Sequence, residues 1–283
     1  MKKNICLSLL LCVLAVTTFA QSNRFGKLLK ETPGMVSYTM RASFAKDVPG
    51  TLDKIKALGI TNMEMSSLFG KTAAEMRKYL DERGMRCSSY GVRYNALKDN
   101  MDSVIRDAKT LGAEFVRLSG VPYKGTFTLE DAKRTVDDFN QFGRKLKANG
   151  LTFVYHNHGF EFQPYQNGTL FDYIVQNTNP DDVSYEMDIL WVFHPGHDPE
   201  TLLKKYPKRF KLMHVKDLKK GIKGDFSGST PPENDVTLGT GQLNLPAILK
   251  AAQKTAIKYY YIEDESPIVE QQVPLSIAYL KSL

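Results

Sequence analysis

The chain has 283 residues, 42% hydrophobic and 24% charged, with 11% aromatics and a formal charge of +7. That length suits one large domain or two small ones with ample chain to bury a core, and the aromatic content without a long biased tract excludes a disordered protein. The modest basic excess is spread along the chain and is not interleaved with base-stacking aromatics, which argues against a nucleic-acid partner.

The N-terminus reads as a secretory leader. Lys2 and Lys3 precede an apolar run from Ile5 to Ala20, and Thr18-Phe19-Ala20 fits a small-x-small cleavage site. The run is too short for a membrane span and no second apolar segment follows, so residues 1–20 are expected to be removed and the protein to be periplasmic or secreted, with no membrane association afterwards. Cleavage would remove Cys6 and Cys12 and leave Cys87 alone in an apolar run, a buried packing thiol with no disulfide partner.

From residue 21 onward a regular alternation sets in. Short β-rich runs begin near Met35, Ile60, Met85, Ala113, Leu151, Val183, Phe210 and Lys258. Between them lie helical spacings: Leu52, Ile55 and Leu58; Ala73, Met76 and Leu80; Val104, Ala108 and Leu111; Val136, Phe139, Phe142 and Leu146. Further helices are expected at Leu170 to Val175, Leu202 to Tyr206, Ile248 to Ala252 and Ile277 to Leu280. Gly59, Gly84, Gly112 and Gly150 stand where helices would end. Eight strand–helix units in roughly 250 residues match a single (β/α)8 barrel over 21–283. An open doubly wound sheet is the rival, but no Gly-rich phosphate turn follows the first strand. The Gly- and Pro-rich stretch 219–240 has no periodicity and follows the seventh strand, so it is either a lid over the active face or a surface excursion.

Catalytic groups of such barrels sit at the C-terminal ends of the strands. Here the fifth strand ends in Tyr155-His156-Asn157-His158 with Glu161 beyond it, and the sixth runs Glu186-Met187-Asp188. The seventh reads His214-Val215-Lys216-Asp217 and the eighth Glu263-Asp264-Glu265. Strand alternation pairs His156 with His158, Glu186 with Asp188, His214 with Lys216 and Glu263 with Glu265. Carboxylates crowded there repel one another unless a cation joins them, and mixed imidazole–carboxylate ligands suit one divalent ion: Mn²⁺, Zn²⁺, Co²⁺ or Fe²⁺. His194 and His197 fall in a Pro-Gly turn, where solvated loop histidines are expected.

The strings YHNHGFEF (155–162), EMDILWVFHPGHDP (186–199), LMHVKD (212–217), LGTGQLNLPAIL (238–249) and YYYIEDE (259–265) resemble the xylose-isomerase-like TIM barrels, a family of sugar phosphate isomerases and epimerases that includes tagatose epimerase, inosose dehydratase and the apurinic endonucleases. The resemblance implies one metal held by Glu, Asp, His and Glu from strands five to eight. Asp188, His214 and Glu263 match the last three. The fifth strand departs from the pattern, with His156 as the expected fourth ligand and Glu161 as its competitor; this histidine-rich form is closer to inosose dehydratase. The three-metal endonuclease arrangement is disfavoured, because strands one to four contain no histidine.

The chemistry expected is removal of a proton beside a sugar carbonyl, with the metal polarising the C=O and stabilising the enediolate. His158 is the candidate base, Glu161 a second acid–base group, and Lys216 a neutraliser of substrate charge. Glu64 is expected either to bond a sugar hydroxyl or to form a rim salt bridge, and Trp191 either to stack on the ring or to fill the gap under the loop. Reprotonation gives epimerisation or isomerisation, and loss of a β-substituent gives elimination. Export points to an unphosphorylated sugar, a keto-sugar or a keto-glycoside. The alternative is a periplasmic sugar-binding barrel without turnover. The resemblance also leaves a homo-oligomer open.

Overall fold

The computed structural model describes residues 25–29 and 31–283, and the expected leader, residues 1–20, lies outside the described residues. The eight apolar runs form β1 (Gly34–Val36), β2 (Asn62–Met65), β3 (Arg86–Val92), β4 (Phe115–Leu118), β5 (Thr152–His156), β6 (Val183–Asp188), β7 (Phe210–Val215) and β8 (Tyr259–Ile262). Each pairs in parallel with its neighbours in chain order, and β8 closes on β1 with Gly34 opposite Tyr261 and Met35 opposite Ile262. That closure makes the protein a (β/α)8 barrel and rules out the open doubly wound sheet.

Eight principal helices cover the barrel: α1 (Val48–Ala57), α2 (Ala73–Asp81), α3 (Met101–Leu111), α4 (Leu129–Lys147), α5 (Leu170–Asn177), α6 (Pro199–Lys205), α7 (Leu245–Ala252) and α8 (Val269–Ser282). Their starts are written in the sequence. Thr72 with Glu75, Thr128 with Asp131 and Thr169 with Asp172 form reciprocal capping boxes that begin α2, α4 and α5. Such caps contribute about 1 kcal/mol each. Gly112 ends α3 in the left-handed region, at φ +74°, where a side chain would be strained. No helix among the described residues is long and apolar enough to cross a membrane.

Inside the barrel the strand period of two sorts the residues by height. Val36, Phe115, Val154, Leu212, Tyr259 and Tyr261 close the floor as an apolar cluster of their own. The next inward positions toward the C-terminal ends carry Glu64, Arg117, His156, Glu186 and His214, followed by Asp188, Lys216 and Glu263, all buried. Cys87 is buried as expected, and burial pushes its thiol up to about 12, so it packs as an inert apolar group.

Candidate functional site

The polar tier starts from Arg117. Its guanidinium Nε lies 2.8 Å from Glu64 Oε1 and 3.6 Å from Glu186 Oε2, an ion-paired bridge across the barrel between side chains that are 7% and 0% exposed. Ser89 donates to Glu64 Oε2 at 2.6 Å. Burial opposes ionisation of Glu64, yet Arg117 and His214 hold its carboxyl down at about 2. Glu186 is driven the other way, to about 7, by burial and by the charge of Glu64.

His214 joins this tier to the one above. Its Nε2 lies 2.9 Å from Glu64 Oε1 and 3.1 Å from Glu186 Oε2, while Nδ1 lies 3.0 Å from Glu263 Oε2 and 3.8 Å from Asp188 Oδ2. Burial alone would lower the imidazole, but the carboxylates of Glu186, Glu263 and Glu64 raise it well above its ordinary value. His156 reaches the same place from β5, with Nδ1 3.2 Å from Glu186 Oε2 and Nε2 3.9 Å from Asp188 Oδ2.

Local structure aims Asp188. One carboxylate oxygen accepts the Trp191 N–H at 3.0 Å, capping the short helix Ile189–Phe193 that follows β6. The other, Oδ2, is buried without a hydrogen-bond partner. Asn157 staples the ends of β5 and β6 by accepting the Asp188 N–H at 3.1 Å and donating to its carbonyl at 3.2 Å. The result is that His156, Asp188, His214 and Glu263 each offer a donor atom within 4.8 Å of all the others. Two imidazole nitrogens and two carboxylate oxygens, one of them left without a partner, form a donor set that a divalent cation takes. Glu64, Glu186 and His214 form a second such grouping beneath it.

A cavity of about 400 Å³ opens above these residues, lined by Arg117, His156, His158, Trp191, Glu263 and the loop residue Ser229, among others. The His158 ring lies nearly parallel to Trp191, with centroids 6.2 Å apart, and its Nδ1 is buried with no partner. Burial lowers His158 to about 4, so the imidazole is neutral across the physiological range. The stretch 219–240 lies over this mouth, with Gly228, Ser229 and Thr230 lining the cavity. Its base is held by Asp217, which accepts the N–H groups of Leu218, Gly239, Gly241 and Leu243. His194 is not a solvated loop histidine: it is buried, and its Nδ1 accepts the Asp225 N–H of the loop at 3.3 Å.

Three expected site residues are placed differently. Glu161 does not face the cavity. The chain leaves β5 through Gly159 at φ +97°, and Glu161 turns back to accept from the Tyr155 hydroxyl and the His158 N–H; burial raises it to about 7. It is placed neither as a ligand nor as a second acid–base group. Glu64 is fully buried beneath His214 and so is not placed to bond a sugar hydroxyl. Lys216 is 1% exposed, its ammonium 2.8 Å from Glu265, 3.3 Å from Glu263, 3.5 Å from Asp235 and 3.8 Å from Asp188, so its charge is already matched. Arg117 is the site residue that the sequence reading misses. Its signal is a basic side chain in the otherwise apolar β4, at the same inward parity as Phe115.

Residues 52–283 match the xylose isomerase-like TIM barrel family. Inosose dehydratase 1 of Bacillus cereus is 26% identical over 170 residues, 59% of this chain and 55% of that protein. The chain therefore aligns with only about half the length of that relative. A sugar phosphate isomerase/epimerase from Parabacteroides distasonis ATCC 8503 superposes with a TM-score of 0.72 at 25% identity, covering 88% of this chain and 93% of the other. The IolI protein, solved with a bound zinc atom, superposes at 0.68 with 15% identity over 88% and 95% of the two chains, a likeness of fold.

Proposed function

Since the chain belongs to the xylose isomerase-like TIM barrel family, we propose that it is a divalent-metal-dependent enzyme of the sugar isomerase, epimerase or dehydratase type, acting on a keto-sugar or keto-glycoside. The observation that supports this most directly is the convergence of His156, Asp188, His214 and Glu263 within 4.8 Å, beside a neutral, partnerless His158 in an open cavity. Those four side chains would hold the ion. Bound there, it supplies Lewis-acid polarisation of a carbonyl and its neighbouring hydroxyl.

The remaining work falls to the protein's own groups. Trp191 supplies an apolar face for the sugar ring, and His158, stacked beside it, takes the α-proton at its imidazole. Arg117 lines the cavity from below and offers guanidinium N–H groups to substrate oxygens. The loop 219–240 shields the mouth from water. Return of the proton to the opposite face gives epimerisation, and to the adjacent carbon isomerisation; expulsion of a β-substituent gives dehydration or elimination. Export to the periplasm or medium belongs to this reading as well, and is checked by N-terminal sequencing of the exported form, which should start at Gln21.

The test begins with elemental analysis of protein purified without chelator or His-tag, beside Asp188→Ala and His214→Ala. About one equivalent of metal, lost in both variants, is expected. His158→Gln should retain that metal and lose proton exchange of keto-sugars with D₂O. Metal-free protein that cannot be reloaded with Mn²⁺, Zn²⁺ or Co²⁺ would sink the metal reading. Sugar binding without turnover, indifferent to His158→Gln, would make this a binding barrel instead.

A further inference from the structure

A second hollow lies beside the cavity above the candidate metal centre. It is shallower, of about 600 Å³, and lies over the ends of β2 and β3. Both volumes fall in the range of small-molecule sites, roughly 300–1,000 Å³. The two are adjacent, sharing Ser66, Gly91, Val92 and Arg93 in their walls. Gly91 belongs to the wall they share. A Cβ there would sit 2.6 Å from the Arg117 guanidinium and 3.2 Å from the Ser66 Cα, so only glycine leaves the arginine undisturbed.

The lining of the outer hollow narrows what it takes. Leu68, Phe69, Tyr90, Val92 and Ala96 give it apolar walls, with hydroxyls from Ser66, Ser67 and Ser103. Its charged residues are Arg93 and Asp107, one of each sign. A phosphate site typically gathers several cations, and this lining supplies one, Arg93, offset by Asp107. Phe69 is held at φ +50°, an uncommon conformation for a bulky residue, with its ring stacked on Phe44 at 4.7 Å. Backbone held in such regions clusters at ligand-binding sites.

We propose that this hollow is a subsite for the uncharged ring substituent of a glycoside, so that the substrate is a two-part molecule: a keto-sugar ring under the loop and an aglycone or second sugar over β2 and β3. The inference rests on the sugar-directed reading of the inner cavity and goes beyond it by choosing a glycoside over the free keto-sugar as the preferred substrate.

The experiment compares a free hexose carrying a ketone away from its anomeric carbon, its phenyl and glucosyl glycosides, and its 6-phosphate, by calorimetric binding to metal-loaded protein and by proton exchange with D₂O. The glycosides should bind about tenfold more tightly than the free sugar, and the phosphate no better than the free sugar. Ala96→Trp, which fills the outer hollow, should abolish that advantage while leaving the free keto-hexose unchanged. Phe69→Ala should reduce the advantage in the same direction, and serves if the first variant does not fold. Equal affinity for all ligands, tighter binding of the phosphate, or equal damage to glycoside and free sugar would each overturn the subsite. Absence of proton exchange from every ligand would overturn the proposed activity instead, and the calorimetric comparison would still decide the subsite.

Discussion

Glu161 offers a sharp separation between a structural and a catalytic carboxylate. It is fully buried, accepts from Tyr155 and the His158 N–H, and is raised by burial from 4.5 to about 7. The folded protein therefore binds more protons than the unfolded chain between those values, and stability must fall as pH rises through that window. A displacement of this size at 1.36 kcal/mol per unit corresponds to about 3 kcal/mol, essentially absent below pH 4.5 and complete above pH 7. Glu161→Gln keeps an acceptor for both donors and removes the charge. The variant should match the wild type near pH 4.5 and exceed it by about 3 kcal/mol at pH 8, some 6–12 °C in Tm for a domain of this size. Melting curves of both proteins at pH 5, 6, 7 and 8, in the presence of chelator, read the difference directly. A difference independent of pH, or a variant less stable at pH 8 than the wild type, would refute the assignment. Loss of proton exchange in Glu161→Gln with metal content intact would return Glu161 to the active site.

Arg117→Met should cost about 3–5 kcal/mol in thermal or urea unfolding, because it leaves the buried Glu64 and Glu186 with His214 as the one cationic group between them. Arg117→Lys should recover part of that, and a fully stable methionine variant would show that the bridge is dispensable. Gly224 abuts the His194 carbonyl so closely that a Cβ would collide with it, so Gly224→Ala should unseat the loop. The expected signature is faster proteolysis within 219–231 and weaker sugar binding with unchanged metal content; an unchanged digestion rate would show that the loop is not seated through His194.

The barrel is legible because its signals are local and repeated: apolar runs, helical spacings between them, threonine capping boxes and glycines at helix ends all agree. The convergence of His156, Asp188, His214 and Glu263 is legible for a related reason, since strand alternation and the barrel's polarity together bring the ends of β5 to β8 to one place. Glu161 escapes because alternation stops at Gly159, and a one-turn 3₁₀ helix over Phe160–Phe162 redirects the next side chains. Lys216 keeps its inward parity, but the sequence does not show that four carboxylates from three separate segments surround it. His194 depends on a contact with a loop about thirty residues away.

Glu64 shows how a residue can belong to the site without facing a ligand. Its Oε1 lies 2.9 Å from His214 Nε2, and Glu186 lies 3.1 Å from the same nitrogen, so the arrangement is satisfied when Nε2 carries the proton. Nδ1 is then left toward Asp188 and Glu263, the side on which a cation would be held. Arg117 makes this arrangement sustainable by countering the two carboxylates that grip the ring. A carboxylate expected to touch sugar thus acts one layer lower, by fixing the tautomer and orientation of an imidazole. A lysine expected to touch substrate likewise steadies Glu263 from behind at 3.3 Å. Two groups lining the cavity have incomplete contacts within the protein: His158 with its partnerless Nδ1, beside Trp191, and Arg117, whose Nε makes ion pairs without a well-aligned hydrogen bond.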